Sequence, residues 1–197
     1  MEAPADGFTR AIAAIDATNA ADPTLVETPS GSRPKELVHA ELLSDWVTRL
    51  RPDASEALLL AARGHHIRRW MVPRSSAPAG RAGYLGWRAG LHEFHAQQLA
   101  PLLAAAGYDE GTVTRIQQIV RKDDLAHDAE VQTLEDALCL VFLDQQLDEL
   151  AASVADEEKM VVILRRSWRK MSPAGREFAL GLDLTPAGLA LVRRALA

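Results

Sequence analysis

Cysteine is nearly absent: the single Cys139 has no partner for an internal disulfide. No apolar run approaches the ~20 residues that a membrane-spanning helix needs. The opening segment MEAPADGFTRAIAAID lacks the basic start and apolar stretch of a secretory signal, so a cytosolic chain is expected. No stretch of useful length alternates apolar and polar residues, and no internal repeat is visible, which argues against sheets and solenoids. Positive charge is not in excess either. A net charge of −5 argues against a protein that coats nucleic acid non-specifically.

What is present is material for helices. The chain has 197 residues, 48% of them hydrophobic, enough for one sizeable core. Apolar residues recur at helical spacing in nearly every segment, and the expected fold is an all-α, single-domain helical bundle over residues 1–197. Phe8, Ile12 and Ile15 share one face, ended by NAADP, and ETPSGSRP reads as a polar loop. His39, Leu43, Trp46 and Leu50 share the next face, which puts His39 on the apolar side. Asp53 and Glu56 read as an N-cap and capping box for the following helix, which Pro73 should stop. Residues 73–83 form a Pro-, Gly- and Ser-rich loop. Pro101 should kink or divide the helix over 84–107, and Gly107 fits its C-terminal cap. A helix follows over DEGTVTRIQQIVRK, then a strongly apolar one over VQTLEDALCLVFLDQQL, then two more over 156–171 and 173–195.

The charge is unevenly placed. Between Arg63 and Leu91 there are six arginines and no carboxylate, whereas acidic residues dominate from Asp123 to Glu158. A local basic surface on an acidic chain suits a small anionic ligand. Five of the six histidines lie between residues 39 and 95. A divalent metal needs lone pairs converging from several elements, and His39, His65, His66 and the late Asp136 would meet that need at one interior point. Adjacent His65 and His66 can share an ion only where the helix ends or distorts. Each residue also has a structural reading. His39 would be a hydrogen-bonded core histidine, Asp136 a helix N-terminal charge or salt-bridge partner, and the arginines a solvated face. His92 reads as surface, His127 as solvated, and the run LRRSWRK as a surface helix face.

The order of these residues resembles the HD-domain superfamily of metal-dependent phosphohydrolases. LVHAELLSDWVTRL is similar to its first helix, and ALLLAARGHHIRRW to the helix bearing its histidine–aspartate pair. The stretch beginning HEFH is similar to its next helical hairpin, and TLEDALCLVFL to its closing helix. The likeness covers about residues 35–148, with helices over 156–195 expected to pack on that core. The family's aspartate is replaced by His66, which adds no negative charge. The resemblance implies a phosphohydrolase acting on a nucleotide or related small phosphate. His39, His65, His66 and Asp136 would hold a divalent ion (manganese, iron, zinc or magnesium), and His95 or Glu135 would orient water or take a proton. Arg68, Arg69 and Arg74 would neutralise phosphate, and Trp70, Tyr84 and Trp87 would stack a base. The alternative is a non-catalytic module of the same scaffold that binds a nucleotide or RNA. Over nearly its full length, through AARGHHIRRW, RAGYLGWR, QTLEDALCLVFL and SWRKMS, the chain also resembles a bacterial and fungal family defined as a domain of unknown function (DUF4202), which implies no activity. HHIRRW and RKMSPAG are faintly similar to the ATP-binding signatures of class I aminoacyl-tRNA synthetases. Those need an α/β sheet, and no strand–helix alternation exists to supply it.

Overall fold

The computed structural model describes residues 6–154 and 156–197. Ten α-helices appear among them: α1 (Gly7–Asn19), α2 (Lys35–Leu50), α3 (Glu56–Gly64), α4 (Gly80–Ala105), α5 (Glu110–Arg121), α6 (Ala129–Val141), α7 (Leu147–Ser153), α8 (Glu157–Lys170), α9 (Pro173–Leu180) and α10 (Pro186–Leu196). The all-α expectation holds, and among the described residues there is no parallel sheet on which a nucleotide-binding α/β fold could be built. One small exception replaces part of the expected loop at 27–34. Strands β1 (Leu25–Thr28) and β2 (Gly31–Pro34) pair antiparallel across a Pro29–Ser30 turn. Gly31 takes φ +105 there, a conformation that suits glycine.

Caps set the helix starts. Asp6, Ser55, Asp109, Asp128, Asp156, Ser172 and Thr185 each accept a hydrogen bond from a first-turn backbone N–H. For α3 the cap is Ser55 rather than Asp53, because the chain turns once more after Asp53 before entering the helix. Pro101 sits inside an unbroken α4, so the expected division does not occur. The expected helix over 173–195 is two helices, parted at Gly181 and restarted at Pro186 with Thr185 as cap.

α2, α3 and α6 pack together, with α5 against α3 and α4. Their shared core includes Leu43, Leu58, Leu99, Ile116, Ile119 and Leu140, all fully buried. α8 and α9 close over α6, and α10 lies against α8. No helix among the described residues is long and apolar enough to cross a membrane.

The approach of α3 to α4 positions the site. A Cβ at Gly64 would lie 2.3 Å from Leu99 Cδ2, so only glycine permits this contact. α3 ends at Gly64. The chain then tightens into three-residue turns, with the Ile67 N–H donating to the Gly64 carbonyl and the Arg69 N–H to the His66 carbonyl. Arg68 takes a left-handed conformation (φ 55). Pro73 therefore does not end this helix; it follows an exit already complete nine residues earlier. In a continuing α-helix His65 and His66 would point about 100° apart. Leaving the helix at Gly64 turns both inward.

Candidate functional site

Five imidazoles gather beneath the turn after α3. His39 comes from α2, His65 and His66 from the turn, and His92 and His95 from one face of α4. The rings of His39 and His66 stack at 4.2 Å between centroids, and those of His65 and His66 at 5.0 Å. His95 lies 5.7 Å from His66 and 6.5 Å from His65, and His92 lies 6.2 Å from His65. His92, expected at the surface, belongs to the cluster. Residues 88, 91, 92 and 95 form one helical stripe, and that spacing was the available signal.

Burial keeps the cluster uncharged. It lowers His39 to about 3 and His92 and His95 to about 4, and holds His65 and His66 well below the ordinary imidazole value. The neighbouring rings and cations push the same way. Three ring nitrogens, His39 Nε2, His65 Nδ1 and His95 Nε2, are buried without a hydrogen-bond partner. The His95 tautomer follows from its surroundings. Its Nδ1–H donates to the Ile67 carbonyl at 2.8 Å, which leaves the Nε2 lone pair free. Glu36 lies 3.2 Å from His66 Nδ1 and is itself raised by burial. An imidazole oriented by a backbone carbonyl or a carboxylate on its far nitrogen is the usual support of a metal ligand. By chemistry, then, the donor set suits an ion. By position, no three His, Cys, Asp or Glu groups among the described residues stand ready to hold one ion. The stacked His39 and His66 rings, 12° from coplanar, would have to turn.

Asp136, expected among these ligands, is engaged elsewhere. Its Oδ1 accepts from the Ser172 N–H at 2.8 Å and from Gln132 Nε2 at 2.9 Å, and its Oδ2 accepts from the Ser172 hydroxyl at 2.5 Å. It ties α6 to the start of α9, where Gly175 leaves room for it: a Cβ there would come within 2.6 Å of the carboxyl carbon. Its role is structural, but in neither expected form: it lies mid-helix rather than at the N-terminus of α6, and its partners are the neutral Gln132 and Ser172 rather than a cation. Its neighbour Glu135 faces the other way.

His65, His66, His92 and His95 form one wall of a cavity of about 360 Å³, with His39 stacked behind His66. Four cations line it, Arg69, Arg88, Lys122 and Lys170, against one carboxylate, Glu135. Glu135 is 3% exposed and pairs with both lysines, with Lys170 Nζ at 2.9 Å. Burial opposes its charge, but the two ammonium groups win and hold it below the usual carboxylate range. Glu135 is therefore ionised and can accept a proton or orient water. Lys122 ends α5 in a left-handed conformation (φ 65), and burial lowers its ammonium. A non-glycine residue in that region of backbone space is uncommon and concentrates at functional sites. Cys139 also lines the cavity, but burial pushes its thiol up to about 12, so it is no nucleophile.

The expected phosphate and base contacts divide. Arg69 lines the cavity and lies 4.7 Å from the Trp87 ring centroid. Arg68 points away, donating to Gln98 Oε1 at 2.6 Å. Arg74 is spent on the carbonyls of Ala77 and Pro78, where it braces its own loop. Tyr84 and Trp87 line the cavity, whereas Trp70 does not. Trp87 is fixed by its indole N–H, which donates to the Val72 carbonyl at 3.1 Å. His127 is solvated as expected, with 80% of its side chain exposed. Lys122, Lys170 and Glu36 are the groups that sequence reasoning missed, whereas Arg88 belongs to the arginine cluster expected around the site. Lys170 hid in a run that reads as a surface face, and Lys122 gained its place from the end of α5, for which VRKDD gives no signal.

The geometry lies on a recognisable sequence. The profile of the DUF4202 family, a domain of unknown function, matches residues 9–192. The chain belongs to the DUF4202 family. The match takes in every residue of the cavity, so the imidazole cluster and its basic border lie wholly within the DUF4202 region. No curated protein and no solved structure matches the chain.

Proposed function

We propose that this DUF4202 chain is a metal-dependent phosphohydrolase acting on a nucleotide or related small phosphate. The observation that carries the reading is the cavity in which buried imidazoles with unpartnered nitrogens face a border of four cations. The order of His39, the His65–His66 pair and His95 along the chain also resembles that of the HD superfamily, with His66 where that family has its aspartate. Asp136 takes no part. His39, His65, His66 and His95 would hold the ion, with Glu36 and the Ile67 carbonyl orienting two of them from behind. A divalent ion there would lower the pKa of a bound water and polarise the phosphoryl group. Neutral imidazoles favour zinc or iron over magnesium and manganese, which prefer oxygen donors.

The remaining steps belong to the chain's own residues. Arg69, Arg88, Lys122 and Lys170 neutralise the phosphate as it is bound and displaced. Arginine does so with a planar fork and lysine as a compact charge. Glu135, ionised between its lysines, orients the attacking water. Concentration of these cations in one cavity favours a small phosphate over RNA, which would need charge spread along a surface.

A second reading keeps the ligand and drops the reaction. It rests on the loss of Asp136 to Ser172 and on the lack of three donors already in position. Hydrolysis separates the two. Incubated with manganese, zinc or iron(II), the protein should release inorganic phosphate from at least one member of a panel of nucleotides and sugar phosphates. A chelator and His65→Ala should each abolish release. A protein that binds panel members equally well with chelator, yet releases nothing with any of the three metals, is the binding module.

A further inference from the structure

The wall of the cavity opposite the imidazoles is built from two helices and changes character along its length. On α6 and the turn beyond it, Glu135, Cys139, Phe142 and Gln146 all line the cavity, at the i, i+4, i+7, i+11 spacing of one helical face. On α8, Lys170, Ser167 and Ile163 line it in the reverse order. Glu135 pairs with Lys170 at one end. In the middle the Cys139 thiol donates to the Ser167 carbonyl at 3.7 Å. Phe142 and Ile163 supply the apolar far end, and Gln146 ends the row with an exposed amide. From Glu135 to Gln146 the wall runs about 16 Å at the rise of a helix. Residues 142–146 form a π-helical turn, a geometry that is rare and collects at functional sites.

All four cations of the cavity stand with the imidazoles or at the Glu135 end. A free phosphate ion would use that end and leave Phe142 and Ile163 facing water. We infer that the α6–α8 wall carries a second subsite, which takes the organic part of a phosphate monoester. The phosphate lies on Lys122 and Lys170, and a planar or alkyl group lies against Phe142 and Ile163. Gln146, with both donor and acceptor, contacts polar edges of that group. This orientation differs from stacking between Tyr84 and Trp87. Arg69 already covers a Trp87 face, and Tyr84 is 43% exposed at the rim. Phe142, Ile163 and Gln146 are thus the specificity-determining residues. The inference rests on the proposed phosphate-ester reading and identifies which side of the cavity selects the ester.

Calorimetric titration of the full chain in the presence of a chelator tests it without hydrolysis. The probes are inorganic phosphate and adenosine 5′-monophosphate. The monophosphate should bind at least ten-fold tighter than phosphate. Phe142→Ala and Gln146→Ala should each reduce that advantage, Phe142→Ala by about ten-fold, and leave phosphate affinity unchanged. Lys170→Ala should weaken both ligands alike. Gln146 is exposed, so Gln146→Ala decides the matter where Phe142→Ala lowers the melting temperature. The inference is overturned if the monophosphate binds no tighter than phosphate, or if wall variants weaken both ligands equally or neither. Should inorganic phosphate itself fail to bind, the phosphate reading of the whole cavity falls with it.

Discussion

Glu135→Ala should destabilise the protein by about 3 kcal/mol, because it strands a buried ammonium. Lys122 is only 11% exposed and Glu135 3%. Their pairing offsets the cost of taking both from water, and removing one leaves the other without compensation. Lys170 is 42% exposed and loses little when its partner goes, since solvent screens it. The pH dependence has a definite sign. Burial already lowers Lys122, and Glu135 opposes that effect. Without Glu135 the folded-state value drops further below the unfolded one, near 10.4. A lysine so depressed loses folding stability as pH falls below its unfolded value, because the unfolded chain binds the extra proton. The deficit of Glu135→Ala is therefore largest near neutrality and shrinks toward pH 10. Replacing both partners, as in Glu135→Gln with Lys122→Met, should cost less than the two single changes summed, by about 2 kcal/mol. Urea denaturation of wild type, Glu135→Ala, Glu135→Gln, Lys122→Met and the double variant at pH 7 and pH 9.5 measures all of this. An unchanged midpoint for Glu135→Ala, or a deficit independent of pH, would mean that the triad carries no buried charge.

Asp136→Ala should also cost about 3 kcal/mol, from the loss of three hydrogen bonds to a buried carboxylate. For a chain of this size that lowers the melting temperature by roughly 6–12 °C. Its effect on the cavity should be nil: phosphate binding by the metal-free protein, and metal uptake by the folded variant, should match the wild type. His65→Ala should do the reverse, abolishing uptake. The comparison separates a carboxylate that fastens α9 to α6 from one that holds an ion. An Asp136→Ala protein that melts like wild type but has lost its metal would return Asp136 to the site.

These two carboxylates show what the sequence could and could not reveal. Adjacent in TLEDALCLVFL, Glu135 and Asp136 must diverge by about 100° on a helix. Nothing in the string says which one faces the histidines. Deciding it requires knowing that Ser172 and Gly175 arrive beside Asp136 from more than thirty residues away. The helices themselves were legible, since apolar periodicity and polar caps are local. The breaks were less so. Pro101 was accommodated inside α4, whereas α3 ended at a glycine required by Leu99, a tertiary cause. The gathering of His39, His65 and His66 was legible as an ordered series on apolar faces. His92 was legible only by its place one turn from His95, and Arg88 as one of the six arginines of that region. Arg68 and Arg74 had the right chemistry, but their guanidinium groups were taken by Gln98 and by loop carbonyls, partners that residue type alone does not disclose.

The central claim is that the unpartnered imidazoles hold an ion. Elemental analysis of protein produced without a histidine tag, before and after dialysis against zinc, manganese and iron(II), tests it most directly. The account predicts about one divalent ion per chain, retained in Asp136→Ala and lost in His39→Ala and His65→Ala. A wild-type protein that carries no stoichiometric metal and takes up none of the three would contradict it.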